Sequence, residues 1–442
     1  MLARLRTGAI EFVLPFVVAL LILPFVISGG SLIPWAPATT DLEVYVYAAK
    51  DLLAGKDVYQ TVSPRGLFFI YPPIAAILMI PLAFGPYVVW QLVWTALLIL
   101  SQNLVLARTG MRRGVALALV SACVVIAMEP IRTTLGYGQV NTMLMMWVIA
   151  DLLPVKGRRR IIPQGALIGL AAAIKLTPLL FLVFLFVVGR RRAVLVGTIT
   201  FGVLTVVGAV VMWAGTVEFF TGLVGGNTKT SGPQYVGNQS LVGVTTRLAG
   251  ETTPATLAGL AIAGIVALLS VLVAAYWWQH KERAFGVALV GIATCLASPL
   301  AWTHHWVWVL PLGVLAMIAD QLPRWSRIAA GVLTVWVSVC LPLTVLPYHR
   351  GAADTYTAVQ QVIANAGPVL GAALIVALAV RQVLLARATA GAERTTQSPA
   401  ESTADDAPDA PAADSDDDSG GVSERGSGAD DPGKQDYASG HD

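Results

Sequence analysis

The sequence predicts an all-α integral membrane protein, a polytopic bundle of about twelve transmembrane helices. Three observations support this fold class. Hydrophobic residues make up 56% of the 442 residues and charged residues only 12%, against roughly 25% charged in a typical soluble protein. The apolar residues gather in long continuous runs. The few charged residues of the apolar region fall mostly between these runs.

Twelve apolar runs are long enough to cross a membrane, or to cross it in broken pieces. The run at 141–154 is short for a span of about 20 residues, and 163–174 with 177–189 form a broken pair. Short helices survive at membrane depth when they line a cavity, which predicts a cavity near Lys175. The predicted spans are 9–29, 87–107, 114–129, 141–154, 163–174, 177–189, 193–214, 254–278, 284–299, 305–320, 328–347 and 367–386.

The basic residues predict that the N- and C-termini are both cytoplasmic. With this orientation most Lys and Arg before residue 389 lie in cytoplasmic loops, as the positive-inside rule requires. The outer loops at 30–86, 215–253 and 348–366 are then long, and the first is the longest. The stretch 68–84 is apolar but interrupted by prolines, so we expect it to dip into the outer leaflet without crossing. Function is therefore expected at the outer face.

Residues 389–442 form a second predicted region, distinct from the transmembrane domain at 1–388. They contain fourteen acidic and three basic residues and are rich in Ser, Gly, Ala and Pro. Such a segment buries too little apolar surface to offset the entropy of ordering. We expect a disordered acidic cytoplasmic tail, either without catalytic duty or binding a partner.

Asp41 differs from the other acidic residues before the tail. It follows the Pro-rich exit from the first span and opens a predicted helix. Asp is well suited to the N-cap position of a helix, and the residues alone favour that interpretation. A general base in an outer-face active site is the alternative.

Polar groups recur at the predicted outer ends of other spans. Gln139 and Asn141 enter the fourth span, Asn238 lies in a Gly-rich outer loop, and His304 and His305 begin the tenth span. Turn chemistry or a satisfied buried partner would also account for each of them. Together they are candidates for binding a polar ligand at the outer face.

Three cations are candidates for binding an anion. Because a charge at the centre of a membrane helix costs roughly 2.5–3.5 kcal/mol, Lys175 is a functional candidate by default. With Arg65, Arg132 and the two histidines it could form the positive surface that a phosphate needs. No zinc-spaced cluster and no P-loop occur in the sequence. These absences exclude a Walker-type pump, and neither a metal nor another cofactor is expected.

Six short motifs, taken in order from Asp41 to His305, resemble a known family. The sequence is similar to the actinobacterial polyprenol-phosphate-mannose-dependent α-1,2-mannosyltransferases, glycosyltransferase family 87, of the GT-C architecture. The resemblance covers all of the chain except the tail. The motifs are Asp41-Leu42-Glu43-Val44-Tyr45 with Leu52-Leu53-Ala54-Gly55, Phe69-Ile70-Tyr71-Pro72-Pro73, Gly138-Gln139-Val140-Asn141, Lys175-Leu176-Thr177-Pro178, Gly237-Asn238-Gln239-Ser240-Leu241, and Ser298-Pro299 with Trp302-Thr303-His304-His305.

The resemblance implies a multi-pass plasma-membrane enzyme with an extracytoplasmic active site in a GT-C fold that has a long first outer loop. The enzyme would transfer mannose, with inversion, from polyprenyl phosphate mannose to a mannosylated glycolipid, forming an α-1,2 linkage. The acceptor would be a phosphatidylinositol mannoside, lipomannan or lipoarabinomannan. Asp41 occupies the place of the GT-C catalytic base. Glu43 stands where some enzymes carry a second Asp, which weakens the expectation of a metal.

The resemblance also suggests roles for the other candidates. The apolar hairpin near Lys175 and the segment 68–84 would hold the prenyl chain. The expected donor-phosphate ligands are Lys175, His305, Arg65, His304 and Arg132, and the expected ligands of sugar hydroxyls are Gln139, Asn141 and Asn238.

Three other functions stay open at this point. An arabinofuranosyltransferase of the same architecture would share these residues. A transporter or flippase of lipid-linked sugar fits twelve spans and broken helices, although the polar residues gather on one side rather than at the midplane. A non-catalytic scaffold is the third. A labelled sugar appearing in a new glycolipid would separate an enzyme from the last two.

Overall fold

The computed structural model describes residues 2–155, 157, 159–225, 232–349 and 351–396, with side chains from 7 to 390 except 223–225. The described chain is helical, and its few extended residues form isolated bridges, not strands. The predicted tail lies outside the described residues from 397 onward, whereas its first residues continue the last helix to Thr396. The helices are α1 Leu2–Val26, α2 Thr40–Leu53, α3 Pro73–Leu78, α4 Tyr87–Thr109, α5 Val115–Ala127, α6 Glu129–Tyr137, α7 Asn141–Leu152, α8 Ala166–Ile174, α9 Leu179–Val187, α10 Arg191–Val211, α11 Trp213–Gly225, α12 Leu241–Ala249, α13 Thr253–Gln279, α14 Arg283–Ala297, α15 Val309–Ile318, α16 Arg324–Val339, α17 Leu341–Val345 and α18 Ala358–Thr396, with short 3₁₀ helices at Val58–Gln60, Ile80–Ala83, Thr303–Trp308 and Ala352–Thr355.

Six helical segments among the described residues are long and apolar enough to cross a membrane. They are α1, α4, α10, α13, α16 with α17, and α18, and the pair α5 and α6, bent by 79°, would make a seventh. The predicted all-α membrane fold is therefore present, but the predicted twelve spans are not confirmed. The nine residues of α8 or α9 rise only about 14 Å, half of a 30 Å hydrocarbon core.

Helix α4 relates the two ends of the bundle. Its 23 residues extend over about 34 Å. At its first residue the Tyr87 hydroxyl lies 2.9 Å from the Thr39 hydroxyl, and near its last turn Arg108 donates to the carbonyl of Leu153. Just after the end of α4 in the sequence, Arg113 forms an ion pair with Glu11. The start of α2 and these basic loops thus lie at opposite ends of α4.

Between α1 and α4 the chain forms a folded layer, not an open loop. It contains α2, which includes the helix predicted to open at Asp41, and the short helix α3. The segment 68–84 contains no helix long enough to cross a membrane, in line with its prolines. It packs against α10, where a Cβ added to Gly208 would lie 3.0 Å from the backbone nitrogen of Ile74. The placement of this layer outside the cytoplasm stays a prediction.

Helices α7 and α8 form a short pair that positions Lys175. Asp151, near the end of α7, accepts hydrogen bonds from the backbone N–H groups of Gly165 and Ile168 and so caps the start of α8. Small residues allow α8 to approach α10 closely, since a Cβ on Gly165 would lie 1.9 Å from the carbonyl oxygen of Ala193. From this capped start α8 rises about 15 Å to Lys175. The lysine is therefore held at the C-terminal end of a half-length helix.

Candidate active site

Asp41 lies in the first turn of α2, but it is not the N-cap. The N-cap is Thr39, and its side chain makes no capping bond. The Asp41 carboxylate instead accepts a hydrogen bond through Oδ2 from Nε2 of Gln139, at 2.9 Å. The interpretation of Asp41 as an N-cap is therefore wrong. The carboxylate points to a side chain that is 98 positions away in the sequence.

The start of α2 is held by α4. Thr39 has φ of 38° and ψ of 50°, a left-handed conformation that is unfavourable for a β-branched residue. Its hydroxyl lies 2.9 Å from the Tyr87 hydroxyl and accepts from the Gln91 amide at 2.7 Å. Its N–H donates to the carbonyl of Gly136 at 3.0 Å. These contacts fix the position from which Asp41 projects.

Gln139 reaches Asp41 because of a tight turn between α6 and α7. Gly138 ends α6 with φ of 66°, a conformation that favours glycine. A Cβ at this position would lie 2.7 Å from Cβ of Leu42, so glycine is also required by the close approach of α2. The turn places Gln139 directly against the face of α2 that carries Asp41.

Two tyrosines that were not among the predicted site residues complete this network. The Tyr45 hydroxyl donates to Oε1 of Gln139 at 2.9 Å, and Nε2 of Gln139 lies 2.6 Å from the Tyr71 hydroxyl. The backbone N–H of Val140 also donates to Oε1, at 3.0 Å. Since two donors face Oε1, the amide nitrogen must be the atom that faces Asp41. Both tyrosines lie within the motifs that carry the family resemblance, which was the available signal.

The surroundings of Asp41 alter its acidity. Burial raises the pKa of this carboxyl from 3.8 to about 6, although the hydrogen bond from Gln139 and the charge of Lys175 act in the opposite direction. A base with a pKa near the working pH accepts a proton more effectively than an ordinary carboxylate. Asp41 thus has the environment that a general base requires.

A second polar group forms where α7, α8 and the 303–308 helix meet. The ammonium of Lys175 donates to Oδ1 of Asn141 at 3.0 Å and lies 3.1 Å from Nε2 of His305. The Asn141 amide in turn donates to the backbone carbonyl of His304 at 2.8 Å. Three segments that are distant in sequence are therefore joined through Asn141. Three of the candidate residues, Lys175, Asn141 and His305, thus lie together in the structure.

The two histidines have different environments. Nδ1 of His305 accepts from the backbone N–H of Trp302 at 3.2 Å, which turns Nε2 towards Lys175. His304 is 7% exposed and its ring packs edge-on against Tyr137, with centroids 5.0 Å apart. His305 thus faces the lysine through its side chain, whereas His304 contributes its carbonyl oxygen.

A cavity lies beside Lys175, where the short helices predicted one. About 460 Å³ of space, open solvent included, lies within its outline, with Asn141, Lys175 and His305 among its polar residues. Most of its remaining wall is apolar. The apolar wall is formed by Leu144, Met145, Val148, Pro178, Phe181, Val307 and Trp308. The cavity lining thus combines a cation with a largely apolar wall.

Asp41, Gln139 and His304 do not line this cavity. Three further predicted ligands do not line it either, because local backbone groups bind them. Arg65 is exposed and donates to the carbonyl of Ala38 at 2.5 Å, near the start of α2. Arg132 donates to the carbonyl of Ile126, which is freed by the bend between α5 and α6. Asn238 is fully buried, and its side-chain amide forms hydrogen bonds with backbone groups. These partners are the carbonyls of Pro233 and Pro299 and the N–H of Ala301.

The described part of the chain contains no group of three or more His, Cys, Asp or Glu residues arranged to hold a metal ion. The cation at this cavity is Lys175, with the imidazole of His305 beside it. The chemistry that this site offers is proton acceptance at Asp41 and binding of an anion near Lys175.

The profile of glycosyltransferase family 87 matches residues 69–299. A "polyprenol-phosphate-mannose-dependent alpha-(1-2)-phosphatidylinositol mannoside mannosyltransferase" of Mycolicibacterium smegmatis is 32% identical over 73% of this chain and 80% of its own length. A protein of the same name from Mycobacterium tuberculosis is 30% identical, over 71% and 78%. An M. smegmatis "phosphatidylinositol pentamannoside mannosyltransferase" is 34% identical, over 64% and 70%. No solved structure matches the chain. The chain belongs to glycosyltransferase family 87.

Proposed function

We propose that this family 87 glycosyltransferase transfers mannose from polyprenyl phosphate mannose to a phosphatidylinositol mannoside, forming an α-1,2 linkage. The names of the mycobacterial relatives support the donor, the linkage and the acceptor class. The observation that carries the mechanism is the position of Asp41. Gln139 holds this carboxylate within electrostatic reach of Lys175.

Asp41 acts as the general base. As the 2-hydroxyl oxygen of the acceptor mannose attacks the anomeric carbon of the donor, its proton passes to the carboxylate. Gln139 occupies Oδ2, which leaves Oδ1 to accept the proton. The bond between the anomeric carbon and the phosphate oxygen breaks, and its electron pair leaves with polyprenyl phosphate. Attack from the opposite side converts a β-linked donor into an α-linked product.

Lys175 and His305 stabilise the departing phosphate. No acid is needed for a phosphate leaving group, but fixed positive charge and hydrogen-bond donors lower the barrier. Asn141 keeps the lysine in place through the 3.0 Å hydrogen bond. The prenyl chain follows the apolar wall formed by Leu144, Phe181 and Trp308. This location replaces the segment 68–84 as the main groove for the lipid.

The other predicted ligands receive different roles in this proposal. Arg65, exposed near the start of α2, attracts the anionic headgroups of incoming lipids. Arg132 and Asn238 brace the bend before α6 and the turn before His305, so they position the site without touching the sugar. His304 does the same through its carbonyl, which binds Asn141.

The enzyme is proposed to be a multi-pass protein of the plasma membrane with its active site outside and both termini in the cytoplasm. The basic loops near Arg108 and Arg113 lie at the end of α4 that is remote from Asp41, which supports this orientation. Residues 1–388 are the catalytic transmembrane domain, and the acidic segment that follows is a cytoplasmic tail. Elongation of lipomannan or lipoarabinomannan is proposed as an additional use of the same chemistry.

The test uses membranes of a host that lacks the activity and expresses either the wild-type chain or Asp41→Asn. Radiolabelled polyprenyl phosphate mannose should yield a new α-1,2-mannosylated glycolipid with the wild type and not with the variant. Asp51→Asn is the matched control, because it changes another carboxylate on α2 that binds Lys56. Transfer from an arabinofuranosyl donor instead, or movement of labelled lipid with no new product, would contradict the proposed function.

A further inference from the structure

The hydroxyl of Tyr71 lies beside the proposed base, and the mechanism proposed above gives it no role. Nε2 of Gln139 donates to the carboxylate of Asp41 at 2.9 Å and to the Tyr71 hydroxyl at 2.6 Å. Because the two N–H bonds of an amide diverge in one plane, these two oxygens are about 5 Å apart. This distance is too long for a direct hydrogen bond, but a ligand hydroxyl can lie between the two groups.

The Tyr71 hydroxyl has a hydrogen that the surrounding protein leaves unused. Its oxygen accepts from Nε2 of Gln139 at 2.6 Å and from the hydroxyl of Tyr45 at 3.0 Å. A hydroxyl has two lone pairs and one hydrogen, so both acceptor positions are filled. Among the described residues, no acceptor bonds to the hydrogen of Tyr71. An unpaired buried donor is unfavourable, and a ligand oxygen at this position would satisfy it.

Neighbouring groups fix the position of this hydroxyl. The Tyr71 ring packs edge-on against Tyr45, with centroids 5.4 Å apart, and lies 5.7 Å from the ring of Phe69. The backbone carbonyl of Tyr71 accepts from the hydroxyl of Tyr59 at 2.8 Å. A group held in this way loses little conformational freedom when it binds a ligand. Tyr71 is therefore pre-organised as a hydrogen-bond donor.

Exposure shows which part of the network a ligand can reach. Asp41 is partly exposed, and Tyr71 keeps 8% of its surface exposed. Tyr45 and Gln139 are more deeply buried, at 1% and 4%. A ligand that enters beside α2 therefore meets the carboxylate of Asp41 and the hydroxyl of Tyr71 before the other two groups.

The proposed mechanism determines which ligand atom Tyr71 binds. Asp41 takes the proton of the attacking 2-hydroxyl of the acceptor mannose. A hydrogen bond donated to that same oxygen would withdraw electron density from it and oppose its attack. The productive partner of Tyr71 is therefore the neighbouring hydroxyl at carbon 3, whose oxygen can accept while the 2-hydroxyl donates to Asp41.

We infer that Tyr71 is a specificity-determining residue that donates a hydrogen bond to the 3-hydroxyl of the acceptor mannose. The contact selects the 2-hydroxyl for attack, because it orients the sugar ring with that hydroxyl towards Asp41. A sugar without an acceptor at carbon 3 would leave the Tyr71 donor unpaired, so the site discriminates against it. The inference rests on the proposed function for the identity of the acceptor and of the attacked hydroxyl.

The test measures acceptor binding in the absence of donor. Full-length protein in lipid nanodiscs is titrated with octyl α-mannoside and with its 3-deoxy and 4-deoxy analogues. The wild type should bind the parent glycoside about tenfold more tightly than the 3-deoxy analogue, which leaves a buried donor unpaired. Tyr71→Phe keeps the ring and removes the hydroxyl, so it should bind these two glycosides equally. Tyr47→Phe changes an exposed tyrosine on α2 and is the matched control, which should keep the tenfold preference.

The 4-deoxy analogue separates this contact from a general loss of binding. The ratio of its affinity to that of the parent glycoside should be the same in Tyr71→Phe as in the wild type, because the two sites are independent. In initial-rate mannosyl transfer, Tyr71→Phe should raise KM for the acceptor and leave KM for the donor unchanged.

Three results would overturn the inference. The first is equal binding of the parent and 3-deoxy glycosides by the wild type, a comparison that requires no variant to fold. The second is a folded Tyr71→Phe protein that keeps the tenfold preference. The third is a loss of the 4-deoxy ratio together with the 3-deoxy ratio in that variant, which would indicate a structural role.

The inference and the proposed function can fail separately. Absence of mannosyl transfer together with a retained preference for the 3-hydroxyl would contradict the proposed function and support the contact with Tyr71. Mannosyl transfer without this preference would support the proposed function and overturn the contact.

Discussion

Two aspartates at opposite ends of the molecule differ in how their charge is satisfied. Asp151, near the basic loops, is 2% exposed and receives three hydrogen bonds from the backbone N–H groups of Gly165 and Ile168, with Arg160 at 3.4 Å. Asp41, at the other end, receives one hydrogen bond, from a side-chain amide. Both carboxylates are removed from water, but only one is surrounded by fixed donors.

The difference separates a structural carboxylate from the proposed base. Backbone donors at the start of a helix stabilise the charged form and leave no lone pair directed at a ligand. Asp151 therefore joins α7 to α8, and both of its oxygens are occupied by protein donors. Asp41 keeps one oxygen for that purpose, and burial raises its pKa to about 6. Burial alone does not identify a catalytic acid or base. The number and kind of hydrogen-bond partners must be considered as well.

The largest effect is expected from Asp41→Asn. Because Asn still accepts the hydrogen bond of Gln139 but cannot take up a proton, kcat should fall by about 10²–10⁴ while the protein stays folded. The measurement is initial-rate mannosyl transfer in nanodiscs, with thermal unfolding as the check on folding. A variant that retains a tenth or more of wild-type kcat would remove the distinction between the two aspartates.

Lys175→Met should have the next largest effect. The substitution keeps the apolar stem and removes the charge beside the leaving phosphate, so kcat should fall by about 10²–10³. Lys50→Met, on the exposed face of α2, is the matched control. If only KM for the donor rises while kcat is unchanged, Lys175 binds the ground state and the transition state equally and its assigned role is wrong.

Gln139→Leu should change the pH dependence of the reaction. In the wild type, kcat/KM should fall about tenfold per pH unit below pH 6, because Asp41 must be deprotonated to act. The hydrogen bond from Gln139 favours the charged carboxylate. Its loss raises the pKa of Asp41, so the falling limb should move to higher pH, with about a tenfold lower rate at neutral pH. If kcat/KM of this variant falls at the same pH as in the wild type, Gln139 does not affect the pKa of Asp41.

Asp151→Ala should have the smallest effect on turnover and a clear one on stability. It leaves buried N–H groups at the start of α8 without an acceptor, at a cost of about 1–3 kcal/mol. The midpoint of thermal unfolding should therefore fall, with kcat of the folded protein unchanged. Arg192→Ala, in an exposed basic cluster outside this contact, is the control. A large loss of kcat without a loss of stability would mean that Asp151 acts in the reaction after all.

Hydropathy predicted the helical content and the placement of most helices because apolar runs determine where a chain can cross lipid. The predicted spans 87–107 and 254–278 correspond to α4 and α13. The number of full spans could not be predicted in the same way. Helices α8 and α9 are apolar enough to count as spans, yet their length is set by the turn that carries Lys175.

The candidate site was predictable where the motifs carried it. Asp41, Gln139 and Lys175 come from separate segments, and in the sequence only the resemblance to family 87 links them. Arg65 and Arg132 were chosen for their charge alone. Whether an arginine faces a cavity depends on nearby carbonyls, such as that of Ile126 at a helix bend, and no periodicity in the sequence shows this.

The left-handed backbone of Thr39 has a consequence for the evolution of this enzyme. Such a conformation costs about 1–3 kcal/mol, which the contacts of Tyr87 and Gln91 offset. Glycine at this position would relieve the backbone strain. It would also remove the side-chain contacts of Thr39 that hold the start of α2, and with it Asp41, in place. Selection for thermal stability and selection for catalytic rate would therefore act in opposite directions on a single residue, two positions before Asp41.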